Sequence, residues 1–64
     1  MKILRRADLY DAWMLAAAES ALALASWRSA PRGEKRDAYA VYVAALDREA
    51  DAAWMLQAGA AIAA

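Results

Sequence analysis

The stretch Ser29-Ala30-Pro31-Arg32-Gly33 holds the only proline of the 64-residue chain and the first of its two glycines. Proline inside a helix removes a backbone hydrogen bond and clashes with the preceding turn, at a cost of about 3 kcal/mol or more. A proline and a glycine two residues apart therefore predict a turn at residues 30–33. Both flanks are rich in Ala, Leu, Met, Glu, Arg and Lys, which are residues that favour helix.

The two flanks predict an all-α chain with a single domain over residues 1–64. Helix 1 is expected at about residues 8–29, with Asp8 as its N-cap, and helix 2 at about residues 34–60. The chain has only four β-branched residues, and these are the residue types that favour strands. Because the turn is short, the helices are expected to run antiparallel as a two-helix hairpin.

Projection at 100° per residue places one apolar stripe on each predicted helix. The stripe of helix 1 consists of Leu9, Trp13, Ala16, Ala17, Ser20, Leu24 and Trp27. The stripe of helix 2 consists of Tyr39, Val43, Leu46, Ala50, Ala53, Trp54, Gln57 and Ala61. We expect the two stripes to face each other. The facing pairs predicted are Trp27 with Tyr39, Leu24 with Val43, Ser20 with Leu46, Ala17 with Ala50, and Trp13 with Trp54.

Helix 1 also carries apolar residues on the side away from its stripe. Leu15 and Leu22 lie seven residues apart, with Ala18, Ala25 and Glu19 around them. A fold of this size is marginal alone, and without cysteine it has no disulfides, so association is the remaining way to stabilise it. We therefore predict that these five residues form an interface, most simply of a homodimer, that assembles into a four-helix bundle or a larger helical oligomer. A larger protein is the alternative partner. Glu19 lies either exposed beside the interface or in an ion pair with a basic residue of the other subunit.

The composition argues against an enzyme. The chain has no histidine and no cysteine, so its serines have no histidine to activate them. Asp47 and Asp51 are four residues apart and could bind a hard cation, but their segment lacks the glycine turn of a calcium-binding loop. A solvated helix side with Arg48 paired to Asp51 is the favoured interpretation. We predict no catalytic residue, cofactor site or metal site.

Basic residues at the turn give a second functional hypothesis. Arg28, Arg32, Lys35 and Arg36 gather there, and the last two would oppose the helix dipole at the start of helix 2. Basic residues at the positive end of a helix, with no visible compensating contact, can indicate a binding site. The ligand here would be phosphate, nucleic acid or an acidic protein surface. The alternative functions are therefore a small nucleic-acid-associated regulator and, third, a bundle whose tryptophans bind an apolar small molecule. An ordinary solvated turn is the simpler interpretation of this cluster.

We expect no segment to cross a membrane. The longest charge-free run, residues 52–64, has 13 residues, whereas a transmembrane helix needs about 20. The longer apolar stretch at residues 12–27 has Glu19 at its centre. The N-terminal sequence does not resemble a signal peptide, and the absence of cysteine is compatible with the expected cytoplasmic location.

Overall fold

The computed structural model describes residues 5–63, with side chains for residues 5–59. Helix α1 spans Arg6–Ser29, a 3-10 helical turn spans Arg32–Glu34, and helix α2 spans Lys35–Ala63. The two helices pack against each other as a hairpin, which confirms the predicted all-α fold. The hairpin measures 48 × 21 × 13 Å, so its thickness is about that of a single helix. Both broad sides of the helix pair are therefore uncovered.

Helix α1 begins two residues earlier than predicted, and Asp8 is not its N-cap. Arg5 occupies the N-cap position and Asp8 is the third helical residue. The Asp8 carboxylate accepts a hydrogen bond from the Arg5 backbone N–H at 3.2 Å. A negative charge in the first turn also interacts favourably with the helix dipole, so Asp8 stabilises the helix start from inside the first turn.

The proline ends α1 through backbone geometry. Ala30 and Pro31 are both extended, with ψ of 140° and 156°, as expected because a proline disfavours helical geometry in the residue before it. The Glu34 backbone N–H then donates to the Pro31 carbonyl at 2.9 Å and forms the 3-10 turn. At the end of α1 the Ser29 hydroxyl donates to the Ala25 carbonyl at 3.0 Å.

The contact between the helices, which we call the seam, is made mainly of small residues. On α1 the predicted stripe is confirmed, since Leu9, Ala16 and Ser20 are buried and the rest of the stripe is half-buried, and Ala23 is buried as well. On α2 the predicted stripe was wrong. Its members Tyr39, Val43, Leu46, Ala50, Trp54 and Gln57 are exposed, Ala53 is half-buried, and the side chain of Ala61 lies outside the described residues. The seam residues of α2 are Ala38, Tyr42, Ala45, Glu49, Ala52, Leu56 and Gly59.

The small size of the α2 seam residues accounts for this choice of side. Ala45, at 1% exposed, is the most buried residue in the described part of the chain. Small residues at facing positions let two helices pack at the short end of the usual range of interaxial distances. Had the predicted stripe faced α1, its larger side chains would have held the axes apart.

The register agrees with the prediction at the turn and departs from it farther away. Trp27 lies against Tyr39, with ring centroids 5.0 Å apart, as predicted. Ser20 meets Glu49 instead of Leu46.

The predicted facing pair of Trp13 and Trp54 was wrong. Trp13 lies against Tyr10 of its own helix, and Trp54 is 66% exposed. The rotation of α2 that brings its alanines into the seam turns Trp54 outward.

Candidate interaction surface

The large apolar side chains of this hairpin lie mostly outside its core. The buried apolar residues are Leu9 and three alanines, and no large side chain among the described residues is completely buried. The exposed large apolar residues are Tyr10, Met14, Leu15, Leu22, Tyr39, Val41, Val43, Leu46, Trp54 and Met55. An isolated exposed leucine is ordinary for a soluble protein. Here, however, the exposed apolar side chains outnumber the buried ones and occur on both helices.

Four of the five residues predicted as an interface lie on the outer side of α1, away from α2. Leu15 and Leu22 are 63% and 70% exposed, and Ala18 and Ala25 beside them are exposed as well. Leu15 and Leu22 therefore form a ridge whose apolar surface no other part of the described chain covers. Their role in association stays a prediction.

Glu19 has an ionic partner within its own chain. Its Oε2 atom lies 3.6 Å from Nη2 of Arg48 on α2, and about half of each side chain is exposed. Arg48 therefore reaches across the seam to Glu19, and not along its own helix to Asp51 as expected from the sequence. Exposed pairs of this kind contribute about 0–1 kcal/mol to the free energy of unfolding. The pair therefore adds little stability, and it identifies the polar side of the hairpin.

The opposite side of the seam is apolar. Tyr10 projects about half a turn around α1 from Glu19, and Tyr39 about half a turn around α2 from Arg48, at 100° per residue. The exposed residues on this side are Tyr10, Met14, Ala21, Tyr39, Val43, Leu46, Ala50 and Gln57, with Trp54 at the outer edge of α2, and we call this surface the apolar face. By the same projection Asp47 lies beside Trp54 at the outer edge, the middle of the face has no acidic residue among the described positions, and its basic residues, such as Arg28 and Arg36, lie toward its ends.

The α2 part of the apolar face has the spacing of a helix that packs against another helix. Tyr39, Val43, Leu46 and Ala50 follow one another at intervals of four, three and four residues. This is the heptad pattern of helices that pack against each other along their length. The sequence predicts that these four residues face α1, but a side of α2 made mainly of small residues makes that contact.

Sequence reasoning missed the polar pair at the centre of the seam. The Ser20 hydroxyl lies 2.5 Å from the Glu49 carboxylate and 3.0 Å from the Ala17 carbonyl. Ser20 is 7% exposed and Glu49 is half-buried. The only signal available in the sequence was that Glu49 shares one helix side with Ala45 and Ala52, a row of small residues interrupted by one carboxylate.

The turn uses one of its four basic residues to cap a helix. The Lys35 ammonium donates to the Trp27 carbonyl at 2.6 Å and to the Arg28 carbonyl at 2.9 Å. Lys35 thereby satisfies carbonyls at the negative end of the α1 dipole, which compensates for its position at the start of α2. Arg28, Arg32 and Arg36 are exposed, and binding of nucleic acid by this cluster stays a prediction.

The described residues offer little for small-molecule chemistry. The two helices enclose no pocket over this part of the chain, and no three acidic side chains there converge on a point where a metal ion could bind. Neither α1 nor the described length of α2 combines the length and the apolar character needed to cross a membrane. Comparison of the chain with protein-family models, curated proteins and solved structures finds no match.

Proposed function

We propose that this chain is a small interaction protein that works by associating with further copies of itself through its apolar helix surfaces. The supporting observation is the amount of surface that one hairpin leaves uncovered. The 6.9 kDa chain exposes 5199 Å², whereas a compact monomer of this mass exposes about 4,000 Å². The excess of about 1,200 Å² is larger than the roughly 800 Å² that each partner contributes to a standard protein interface.

The radius of gyration supports the same proposal. It is 14.6 Å, whereas a compact domain of this length has a radius of about 11 Å. An elongated pair of helices that exposes Leu, Val, Trp and Tyr on its surface has the shape of one half of a helical bundle. Association of two hairpins would cover these side chains and add large apolar residues to a core that in a single copy consists mainly of alanine.

Light scattering coupled to size-exclusion chromatography tests the proposal, with the protein loaded over a hundredfold range of concentration. We expect a mass of twice the monomer or more at high concentration, and a melting temperature that rises with protein concentration. A mass of 6.9 kDa at every concentration, with intact helix content, would contradict the proposal. Docking on a larger protein would then be the remaining role for the exposed surface.

A further inference from the structure

We infer that the apolar face, and not the Leu15–Leu22 ridge of α1, is the surface on which a second copy of this chain docks, and that the second copy lies antiparallel to the first. The inference rests on the proposed function and names the surface and the geometry of that association. Three features favour a second copy as the occupant of this face. They are the extent of the face, the absence of acidic residues from its middle, and the distribution of charge along the hairpin.

The extent of the apolar face is sufficient for a stable dimer. The hairpin is 48 Å long and 21 Å wide, so one broad side has a plan area of about 1,000 Å², compared with the roughly 800 Å² per partner in a standard interface. The Leu15–Leu22 ridge lies on one helix only, and its neighbours on the helix surface include Asp11, Glu19 and Ser26. A ridge with polar residues this close provides a much narrower apolar contact.

The absence of acidic residues from the middle of the apolar face lowers the free-energy cost of burying it. Burying a charge without a partner is costly, and the middle of this face offers only side chains such as Met14, Val43 and Leu46 to a partner. The Glu19–Arg48 pair lies on the opposite side, where it would stay in water. Interfaces are enriched in aromatic residues and methionine, and this face presents Tyr10, Met14, Tyr39 and Trp54.

The charge distribution selects an antiparallel second copy. The half of the hairpin next to the turn, residues 20–46, carries four basic and two acidic residues, for a net charge of +2. The remaining residues of the chain, 1–19 and 47–64, carry four basic and six acidic residues, for a net charge of −2. An antiparallel copy brings the positive half of each chain beside the negative half of the other, whereas a parallel copy places like charges together. Complementary charge of this kind fixes orientation more than it adds affinity.

A two-fold axis lying in the interface and crossing the helices produces this arrangement. Each chain then offers the same patch to the other, as in most homodimers. Leu46 and Ala50 lie near the midpoint of the hairpin, so they would lie close to the axis and meet their own counterparts. A carboxylate introduced at Leu46 would therefore face a second carboxylate across the interface.

The first test compares Leu46→Glu with the matched control Leu22→Glu, because each places a carboxylate on an exposed helical leucine. We expect Leu46→Glu to raise the dimer dissociation constant about 100-fold or more, and Leu22→Glu to leave it within about threefold. Light scattering measures both constants and circular dichroism follows the helix content. Should Leu46→Glu fail to fold, Trp54→Gln takes its place, since Trp54 is 66% exposed in the hairpin.

The second test measures the orientation without a destabilising change. The chain has no cysteine, so Gly33→Cys allows a single spin label in the turn, where an added Cβ meets nothing within 4 Å. An antiparallel dimer separates the two labels by about the length of the hairpin, roughly 45 Å. A parallel dimer brings them within about 20 Å of each other, since only the helix diameters separate them. Double electron–electron resonance distinguishes these distances.

The outcomes separate this inference from the proposed function. A wild-type dimer that persists in Leu46→Glu and Trp54→Gln but dissociates in Leu22→Glu overturns the choice of face and keeps the proposed function. A label distance below about 20 Å overturns the antiparallel geometry. A wild-type chain that is monomeric at every concentration overturns both proposals.

Discussion

The Ser20 hydroxyl and the Glu49 carboxylate meet 2.5 Å apart across a seam made otherwise mainly of alanine. The two residues are 29 positions apart in the chain and belong to different helices. An alanine-lined surface offers few steric features that distinguish one register from another. A hydrogen bond to a charged group has strict distance requirements, so this pair specifies how α2 is placed along α1.

Replacement of Ser20 by alanine should lower the free energy of unfolding by about 1–2 kcal/mol, because Glu49 loses its partner in the seam. Ser26→Ala is the matched control, since Ser26 is exposed on the same helix, and we expect it to change stability by no more than about 0.5 kcal/mol. Urea denaturation at a fixed protein concentration measures both. The double variant Ser20→Ala with Glu49→Leu should recover most of the loss, since neither partner then remains unpaired. Equal effects of Ser20→Ala and Ser26→Ala would show that the pair does not stabilise the hairpin.

Removal of the Lys35 ammonium should destabilise the end of α1. Lys35→Met keeps the length of the side chain but leaves the Trp27 and Arg28 carbonyls without this donor, so we expect a loss of about 1 kcal/mol in the free energy of unfolding. Arg36→Met is the control, because it removes the same charge from an exposed position one residue later. Thermal unfolding followed by circular dichroism compares the two variants. A similar loss in both would indicate that charge at the turn matters and the cap does not.

The close approach of Leu9 and Gly59 predicts an energetic coupling between these residues. A Cβ added at Gly59 would lie 2.5 Å from Cδ1 of Leu9. Replacement of a glycine inside a helix by alanine ordinarily stabilises it by about 1 kcal/mol. We expect Gly59→Ala to give this gain in a Leu9→Ala background and to give no gain, or a loss, in the native background. A double-mutant cycle measured by urea denaturation tests this, and equal gains in both backgrounds would contradict the contact.

Trp54 should report association through its own spectroscopic signal. With 5-fluorotryptophan at all three tryptophans, the resonance assigned by Trp54→Phe should shift with protein concentration, because association transfers this ring from water to an interface. The Trp27 resonance is the internal reference, since its ring already packs on Tyr39 and Tyr42 within one chain. Fluorine NMR over a hundredfold concentration range makes the measurement. A concentration-dependent Trp27 signal with an unchanged Trp54 signal would place the contact elsewhere.

The turn was predictable because its cause is local. Pro31 restricts its own backbone and that of Ala30, so the end of α1 depends on adjacent residues and on nothing across the hairpin. The seam side of α1 was equally predictable, because the large apolar residues Leu9, Trp13 and Trp27 share one stripe. Ser20 lies on the same stripe.

The seam side of α2 was not predictable from apolar size. Ranking the sides of α2 by large apolar residues selects Tyr39, Leu46 and Trp54, whereas the side that packs on α1 is centred on Ala45. Which of these two sides packs on α1 depends on the distance between the helix axes. That distance is a property of the helix pair and cannot be read from either helix alone. The Ser20–Glu49 pair was missed for the same reason, since it exists only once α2 has this rotation.

The alanine seam has a consequence for the entropy of the molecule. Alanine has no side-chain rotamers to lose, whereas burial of a long side chain costs up to about 2 kcal/mol in rotamer freedom. The hairpin therefore closes with little ordering of side chains, and residues such as Leu46 and Trp54 keep their motion while they are in water. If a second copy docks as proposed, these side chains lose their rotamer freedom at that step. We expect heats of dilution measured at several temperatures to give a positive heat-capacity change for dissociation, because dissociation exposes the apolar surface that association buries. The association entropy should be less favourable by the rotamer freedom that these side chains lose.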